Sequence, residues 1–237
     1  MELQFEAAAE HIQTVEQHEL DRYHRFIEHM RPNNLADRFR RWLFAYASVH
    51  TTWKLNCRLY RALEDLEWLG DKKELHRRIT ESGAGFQNNR TQFISEFSEH
   101  FWRHPGWFDK TKFETWPEYR HRVRQAAKGL GFAKSAFSVE LLYPAHAKVI
   151  CVDTHILQLY GFTPEQINKK GPREKDYQTI ENHWVEHCNQ ISAPPVLARW
   201  IFWDRKQGMG DSRYWTFVFE KEKWHDRLAQ LAQVEAG

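Results

Sequence analysis

In this chain only residues 214–219 have the look of a β-strand, and they read equally well as a buried helical turn. Everywhere else apolar residues recur at helical spacing between short breakers, so the chain can bury its apolar surface only by packing helix on helix. Residues 4–29 keep that spacing with no breaker until Pro32. Asn33 and Asn34 can cap a second long helix over residues 35–63. Asp71 followed by Glu74 has the pattern of a capping box, and Gly83 and Gly85 end the helix it opens. Further helices are expected over residues 88–102, from Trp116-Pro117-Glu118 to Gly129, and over residues 133–143, where Pro144 stops the chain. Thr163-Pro164-Glu165 opens a short one. Residues 173–191, 195–206 and 221–234 complete an all-α chain with short connections.

The first half, residues 1–114, reads as a helical lobe with few motifs, and residues 115–237 as the lobe that carries the chemistry. A boundary between Pro105 and Pro117 and an interleaved two-lobed architecture are both open. Eleven Trp and sixteen Phe suit a core rich in large rings, with some of them free to form a stacking surface for bases. A net charge of +2 excludes a polycation, but the charge is unevenly spread. Residues 1–21 hold six acids and no Lys or Arg, whereas residues 118–134 set Arg120, Arg122, Arg124, Lys128 and Lys134 against Glu118 alone. Such a stripe is what phosphate contacts need, and it is also what a solvated helix face looks like.

Cys57, Cys151 and Cys188 are odd in number and widely spaced, which fits neither a disulfide scaffold nor a zinc or iron–sulfur site. His183 and His187 have metal spacing, but no third ligand stands out, so no metal is expected. The first residues lack the regions of a signal peptide, and no run is apolar enough to span a membrane, so a cytosolic protein without a membrane partner is expected.

One constellation carries most of the chemistry. Arg120, Arg124 and Lys128 stand at i, i+4 and i+8 on one helix face. Gly129-Leu130-Gly131 follows as a two-glycine hairpin and opens a second helix, whose apolar face includes Phe137 and a Val139 flanked by Glu140. A hairpin of this kind lets a ligand approach the backbone and points free N–H groups at a phosphate. Next comes the apolar run of residues 149–152, then Asp153-Thr154-His155 and an apolar helix. An Asp there sits at a helix N-terminus, as a plain N-cap or as a carboxylate facing a cleft.

The hairpin, followed some twenty residues on by Val152-Asp153-Thr154-His155, resembles the helix-hairpin-helix, Gly/Pro, Asp (HhH-GPD) superfamily of DNA glycosylases. The likeness covers residues 115–205 at most. It implies a two-lobed helical fold and double-stranded DNA as partner. It also implies that Gly129 and Gly131, supported by Lys128, Arg124 and Arg120, bind the DNA backbone, that Asp153 is catalytic, and that a monovalent cation can sit at the hairpin. Bifunctional members place a lysine two residues after the second glycine, where this chain has Ala133. Lys134 is one place along, on a different side of the helix, which speaks against a Schiff-base lyase. Lys128 replaces the usual hairpin proline, and the iron–sulfur cysteines are missing.

A narrower resemblance joins the stretch from Arg41-Trp42 through His50-Thr51-Thr52-Trp53, then Asn88-Asn89-Arg90, the hairpin with Lys134, Tyr143-Pro144 and Cys151-Val152-Asp153-Thr154-His155. Together these look like a phage family of amino acid:DNA transferases of thymidine hypermodification, formerly predicted as pyrophosphorylases. That likeness implies a free amino acid as co-substrate, activated 5-hydroxymethyluracil in DNA as acceptor, and the host-cell cytoplasm as location. No cofactor is otherwise implied, and a monomer is expected.

The remaining candidates are weighed residue by residue. Trp42, His50, Thr52, Trp53, Asn56, Asn89 and Arg90 are candidates for a base or amino-acid pocket. For His50 to Asn56 the competing reading is a polar network on one helix, and for Asn89 and Arg90 it is helix capping. Arg41, beside Trp42, is a candidate for reaching phosphate. His155 either supports Asp153 or acts with it, and Lys134 is the cation for a departing phosphate. Trp200, Trp203 and Asp204 are expected to pack the last helices. Transferase, monofunctional glycosylase and a DNA-binding module without chemistry are the three functional expectations.

Overall fold

Residues 3–29, 31–169 and 171–208 are described by a computed structural model, and among them twelve α-helices and one 3-10 turn form and no strand does. The segments expected at 214–219 and 221–234 lie outside the described residues.

Two expected helices are each broken in two. Residues 4–29 form α1 (Glu6–Gln13) and α2 (Gln17–His29). Between them the Thr14 hydroxyl donates to His11 O at 2.8 Å and Glu16 N–H donates to Glu19 Oε2 at 3.0 Å. Residues 35–63 form α3 (Leu35–Ala47) and α4 (Trp53–Leu63). Asn34 caps α3, its Oδ1 accepting from Asp37 N–H at 2.9 Å. The α3–α4 break falls where Ser48, Thr51 and Thr52 offer the backbone local partners in place of the helical bond. Ser48 donates to Ala45 O at 2.7 Å, His50 takes a left-handed φ of +45°, and Thr52 caps α4 through Leu55 N–H. His50 and Trp53 therefore do not share a helix face.

Arg90, near the start of α6 (Gln87–Arg103), latches this break. Its guanidinium donates to Tyr46 O at 2.9 Å, to Val49 O and to Gly85 O at 3.0 Å. Tyr46 O, which also takes the Val49 N–H at 3.3 Å, and Val49 O beyond the end of α3 thereby gain a donor. Before it, α5 (Lys72–Ser82) is capped by Asp71, which accepts from Lys73 and Glu74 N–H. Only that half of the expected capping box forms, because the Glu74 carboxylate turns to Arg77 and Arg78, each at 2.7 Å. The 3-10 turn Pro105–Phe108 leads to α7 (Trp116–Ala126), which opens with a full capping box between Thr115 and Glu118.

The remaining helices are α8 (Phe132–Leu142), α9 (Thr154–Leu159), α10 (Pro164–Lys169), α11 (Glu174–Gln190) and α12 (Pro195–Lys206). Two apolar clusters hold them. The larger joins α3 through α8 with α12 and is dominated by rings: Phe39, Trp42, Phe97, Phe101 and Phe108 pack together with centroids 5–6 Å apart. The smaller joins Ala8 and Ile12 of α1 to Ile150, Val152, Ile156, Trp184 and Ala198. The first helix thus completes a cluster built mainly from residues beyond 149. At its edge Arg205, on α12, ties down the α1–α2 turn through Glu19 and Thr14. Among the described residues no helix is long and apolar enough to cross a membrane.

Candidate active site

Asp153 is placed by the run before it and the helix after it. Residues 149–152 are buried outside any helix, the Asp153 N–H turns back to Cys151 O at 2.9 Å, and Asp153 then caps α9, its Oδ1 accepting from His155 N–H at 3.0 Å and Ile156 N–H at 3.1 Å. The other oxygen, Oδ2, accepts from Arg199 Nη2 at 2.7 Å. Arg199 is itself only 1% exposed, donates through Nε to Cys151 O at 3.0 Å, and has Nη1 3.3 Å from Glu140 Oε2. Glu140, wholly buried in α8, also accepts from Cys151 N–H at 2.6 Å and Trp200 Nε1–H at 3.4 Å. A buried guanidinium thus lies between two carboxylates, one deep and one at the cleft. Burial pushes the Glu140 carboxyl up to about 7, with Arg199 pulling the other way.

Sequence reasoning singled out neither Glu140 nor Arg199. A signal was there: a lone acid inside the apolar α8 stretch and a lone base between Ala198 and Trp200 must each find a partner if their helices are buried.

Asp153 opens onto a cleft of about 330 Å³. One wall is the α3–α4 break, which contributes Ser48, Thr51, Thr52, Trp53 and Asn56. The other holds Lys134, Phe137, His155, Arg199 and Trp203 beside Asp153. The rings of Trp53 and Trp203 lie 5.8 Å apart, close enough to offer a planar ligand an aromatic surface. Two cleft-lining side chains carry buried polar atoms with no hydrogen-bond partner among the described residues, Asn56 Oδ1 and His155 Nδ1. Leaving such an atom unpaired costs about 1–3 kcal/mol, and a ligand in the cleft would supply the partner.

The cleft gathers some sequence candidates and releases others. Thr52, Trp53, Asn56, Lys134, Asp153 and His155 all line it. Lys134, expected on a different side of the helix from the lyase position, shares the cleft wall with Asp153, while Ala133 packs on the core. Trp203, expected only to pack, lines the cleft too. Trp42 does not: it is fully buried against Phe97 and Phe108. Arg90 is the backbone latch already described, Asn89 is exposed on the first turn of α6 away from the cleft lining, and Phe86, in left-handed backbone, precedes that turn in place of an asparagine cap. His50 is exposed on the break, its ring 6.0 Å from that of Phe86. Arg41, read as a phosphate contact, is 2% exposed, and burial pushes its pKa down to about 9.

The basic helix face divides as well. Arg120 is 4% exposed, salt-bridged to Glu181 at 2.5 Å and stacked 3.8 Å above the Phe132 ring, so it is not presented to phosphate. Arg122 is tied to Glu114. Arg124 pairs with Glu174 at 2.9 Å and the exposed Lys128 with Glu96 at 3.1 Å, both at the surface, where such pairs exchange readily. Gly129 has φ +88°, and a Cβ there would come within 2.4 Å of Phe93 Cδ2. Gly131 precedes α8 at φ −69° with open space where a Cβ would stand. Its exposed turn leads into the first N–H groups of α8, which have no intrahelical acceptors. Among the described residues no group of three or more His, Cys, Asp or Glu is arranged to hold a metal ion.

No family model matches the chain, and no curated protein does. Solved structures do. The chain is similar to the 8-oxoguanine DNA glycosylase of Thermotoga maritima, with 17% identity and a TM-score of 0.66 over 88% of this chain and 100% of that one. The 8-oxoguanine DNA glycosylase of Methanocaldococcus jannaschii matches with 17% identity and a TM-score of 0.67 over 86% of this chain and 94% of that one. An 8-oxoguanine glycosylase/lyase of the same organism, in complex with 15mer DNA containing 8-oxoguanine, matches with 15% identity and a TM-score of 0.63 over 86% and 97%. The fold is therefore that of the helix-hairpin-helix DNA glycosylases.

Proposed function

We propose that the protein is an enzyme acting on a base extruded from double-stranded DNA, with Asp153 at the reaction centre. The observation that carries this reading is the meeting, in one cleft, of Asp153, Lys134, two neighbouring tryptophan rings inclined at 54° and the orphaned Asn56 Oδ1 and His155 Nδ1. A flipped base needs a ring surface and edge partners, and the cleft offers both. The exposed hairpin at Gly131, with Lys128 and Arg124 beside it, would grip the phosphate backbone. Its backbone carbonyls are the donor type a monovalent cation uses, although Lys128 O already accepts from the Tyr46 hydroxyl. No step below depends on that ion.

The narrower reading is an amino acid:DNA transferase working as a monomer on phosphorylated 5-hydroxymethyluracil. The amine nitrogen of a free amino acid bonds to the exocyclic methylene carbon, the carbon–oxygen bond to phosphate breaks, and the phosphate leaves with the electron pair. Asp153 takes the proton released by the amine. Lys134, the cleft-facing cation, stabilises the leaving phosphate. The second reading, a monofunctional glycosylase, is favoured by the fold, with Asp153 stabilising the developing sugar cation or orienting water.

Mass spectrometry of nucleosides tests both. Duplex DNA bearing thymine, 5-hydroxymethyluracil, its phosphorylated forms or 8-oxoguanine is incubated with the protein, with and without amino acids. A mass gain on the thymine-derived nucleoside that requires an amino acid is the expected result. Free base and abasic sites that need no amino acid would replace the transferase with a glycosylase. No change on any substrate, with DNA still bound, would leave a DNA-binding module and sink both readings.

A further inference from the structure

Glu140 is wholly buried, yet it reaches the reaction centre along two routes. Its Oε1 accepts the N–H of Cys151, two residues before Asp153, at 2.6 Å. Its Oε2 lies 3.3 Å from Nη1 of Arg199, whose Nη2 holds Asp153 at 2.7 Å. Arg199 Nε takes the carbonyl of the same Cys151 at 3.0 Å. Both polar groups of the Cys151 backbone are thereby clamped, one by each member of the pair, and the next residue but one is the aspartate.

We propose that Glu140 is a positioning residue for Asp153 with two settings. Charged, it shares the Arg199 cation with Asp153. Neutral, it leaves that cation to Asp153 alone and so draws the aspartate's negative charge away from the cleft. The only bond that changes is one O–H on Glu140, with the proton exchanged with solvent. The catalytic consequence rests on the reading of Asp153 given above; the coupling of the two carboxylates does not.

The surroundings support a transition within the physiological range. Burial raises the Glu140 pKa, Arg199, the Cys151 N–H and Trp200 lower it, and Asp153 raises it further. The other titratable groups on elements packed against α8 are engaged elsewhere or lie at a different site. Tyr46 of α3 donates to Lys128 O, Arg120 of α7 pairs with Glu181 of α11, and Arg41 of α3 borders a separate cavity beside Leu141. The Cys151 thiol is pushed up to about 12 by burial and stays neutral through this range. On α8 itself the further charge is Lys134, at the cleft.

The test is carboxyl-carbon NMR on protein labelled at Asp Cγ and Glu Cδ, titrated from pH 5 to 9. The Asp153 resonance is identified by its loss in Asp153→Asn, and that of Glu140 by its loss in Glu140→Gln. In wild type both resonances are expected to move with one common midpoint near neutrality. The Asp153 inflection is expected to vanish in Glu140→Gln and to persist in Glu181→Gln, which alters the other buried pair. An Asp153 resonance that ignores the Glu140 titration, or behaves alike in wild type and Glu140→Gln, overturns the proposal. If Glu140→Gln fails to fold, the wild-type midpoints carry the test alone. In activity, the same midpoint should appear as a limb of the kcat pH profile that Glu140→Gln removes, with KM for DNA unchanged. Coupled resonances in a protein that turns over no DNA substrate would sink the proposed reaction and leave the positioning role standing.

Discussion

Among the described residues two arginine–glutamate pairs are buried, and they differ in where the rest of each arginine goes. Arg120 and Glu181 close on each other: Glu181 takes Arg120 and the Ile150 N–H, and the guanidinium lies flat on Phe132. Arg199 and Glu140 stay open at one end, where the guanidinium continues to Asp153 on the cleft wall. The first pair fastens α7 to α11. The second links the core to a reaction centre. A buried ion pair is weak evidence of net stabilisation, because desolvation offsets most of the attraction. What separates the two pairs is whether the arginine also holds a side chain on the cleft wall, as Arg199 holds Asp153.

The largest expected effect falls at the open end. Asp153→Asn should lower product formation by about 10²–10⁴-fold, the range for losing a general base. Asn keeps the helix cap, so any loss of stability should come from the carboxylate taken away from the buried Arg199. Single-turnover kinetics beside a denaturant melt check this, and an unchanged rate would make Asp153 an N-cap and no more. Next come the pairs themselves. Arg120→Ala should cost about 3–5 kcal/mol by stranding Glu181 in the core, whereas Arg120→Met with Glu181→Leu should return near wild-type stability and keep activity. The matching double replacement at Arg199 and Glu140 should recover stability in the same way but lose about 10²-fold in rate, as misplacement of a reacting group does. If both doubles retain activity, the contrast between the pairs is wrong.

Smaller effects sharpen the same contrast. Glu140 has its folded-state pKa raised, so its contribution to stability is full below the ordinary carboxylate range and is lost as pH rises through about 7. Glu140→Gln, uncharged throughout, should therefore gain on wild type by about 3 kcal/mol between pH 4.5 and 7.5. His11 works in the opposite sense: burial lowers it to about 4, and its contribution is lost as pH falls from 6.5. It is common to both proteins and cancels in the difference. Denaturant midpoints at four pH values suffice, and a constant gap would contradict the raised pKa. Smallest is the hairpin. Gly129→Ala, with its positive φ and the Phe93 contact, should cost about 1–3 kcal/mol. Gly131→Ala should leave the melt within about 0.5 kcal/mol while weakening DNA binding, read by fluorescence anisotropy, because its methyl group stands where the backbone would meet phosphate.

Much of this molecule was legible in the chain because the signals were local. Caps, breakers and apolar periodicity placed eight helices, α5 to α12, nearly where they stand, together with the Asn34 cap that opens α3, and the hairpin with its downstream Asp153 pointed to the fold that the solved structures show. The α3–α4 break was missed although Ser48, Thr51 and Thr52 announce it, because apolar spacing continues across it. The cleft was legible only in part. Thr52, Trp53 and Asn56 were found, but on a continuous helix, and Trp42 and Arg90 were grouped with them by side-chain type and family resemblance, although one belongs to the core and the other to the backbone latch.

Charge was where the chain was least informative. A sequence fixes how many charges a helix carries and their angular spacing, and Arg120, Arg124 and Lys128 do share a stripe. Whether a guanidinium meets phosphate, carboxylate or water depends on what a distant segment brings to it. Arg120 was silenced by Glu181, 61 residues away, and Arg199 was joined to Glu140 and Asp153 across 59 and 46. Local composition alone therefore determined the helices and the hairpin. Only tertiary packing decided which buried arginine serves the core and which holds the aspartate, because the energy of a buried charge is set by its partners across the fold and not by its neighbours along the chain.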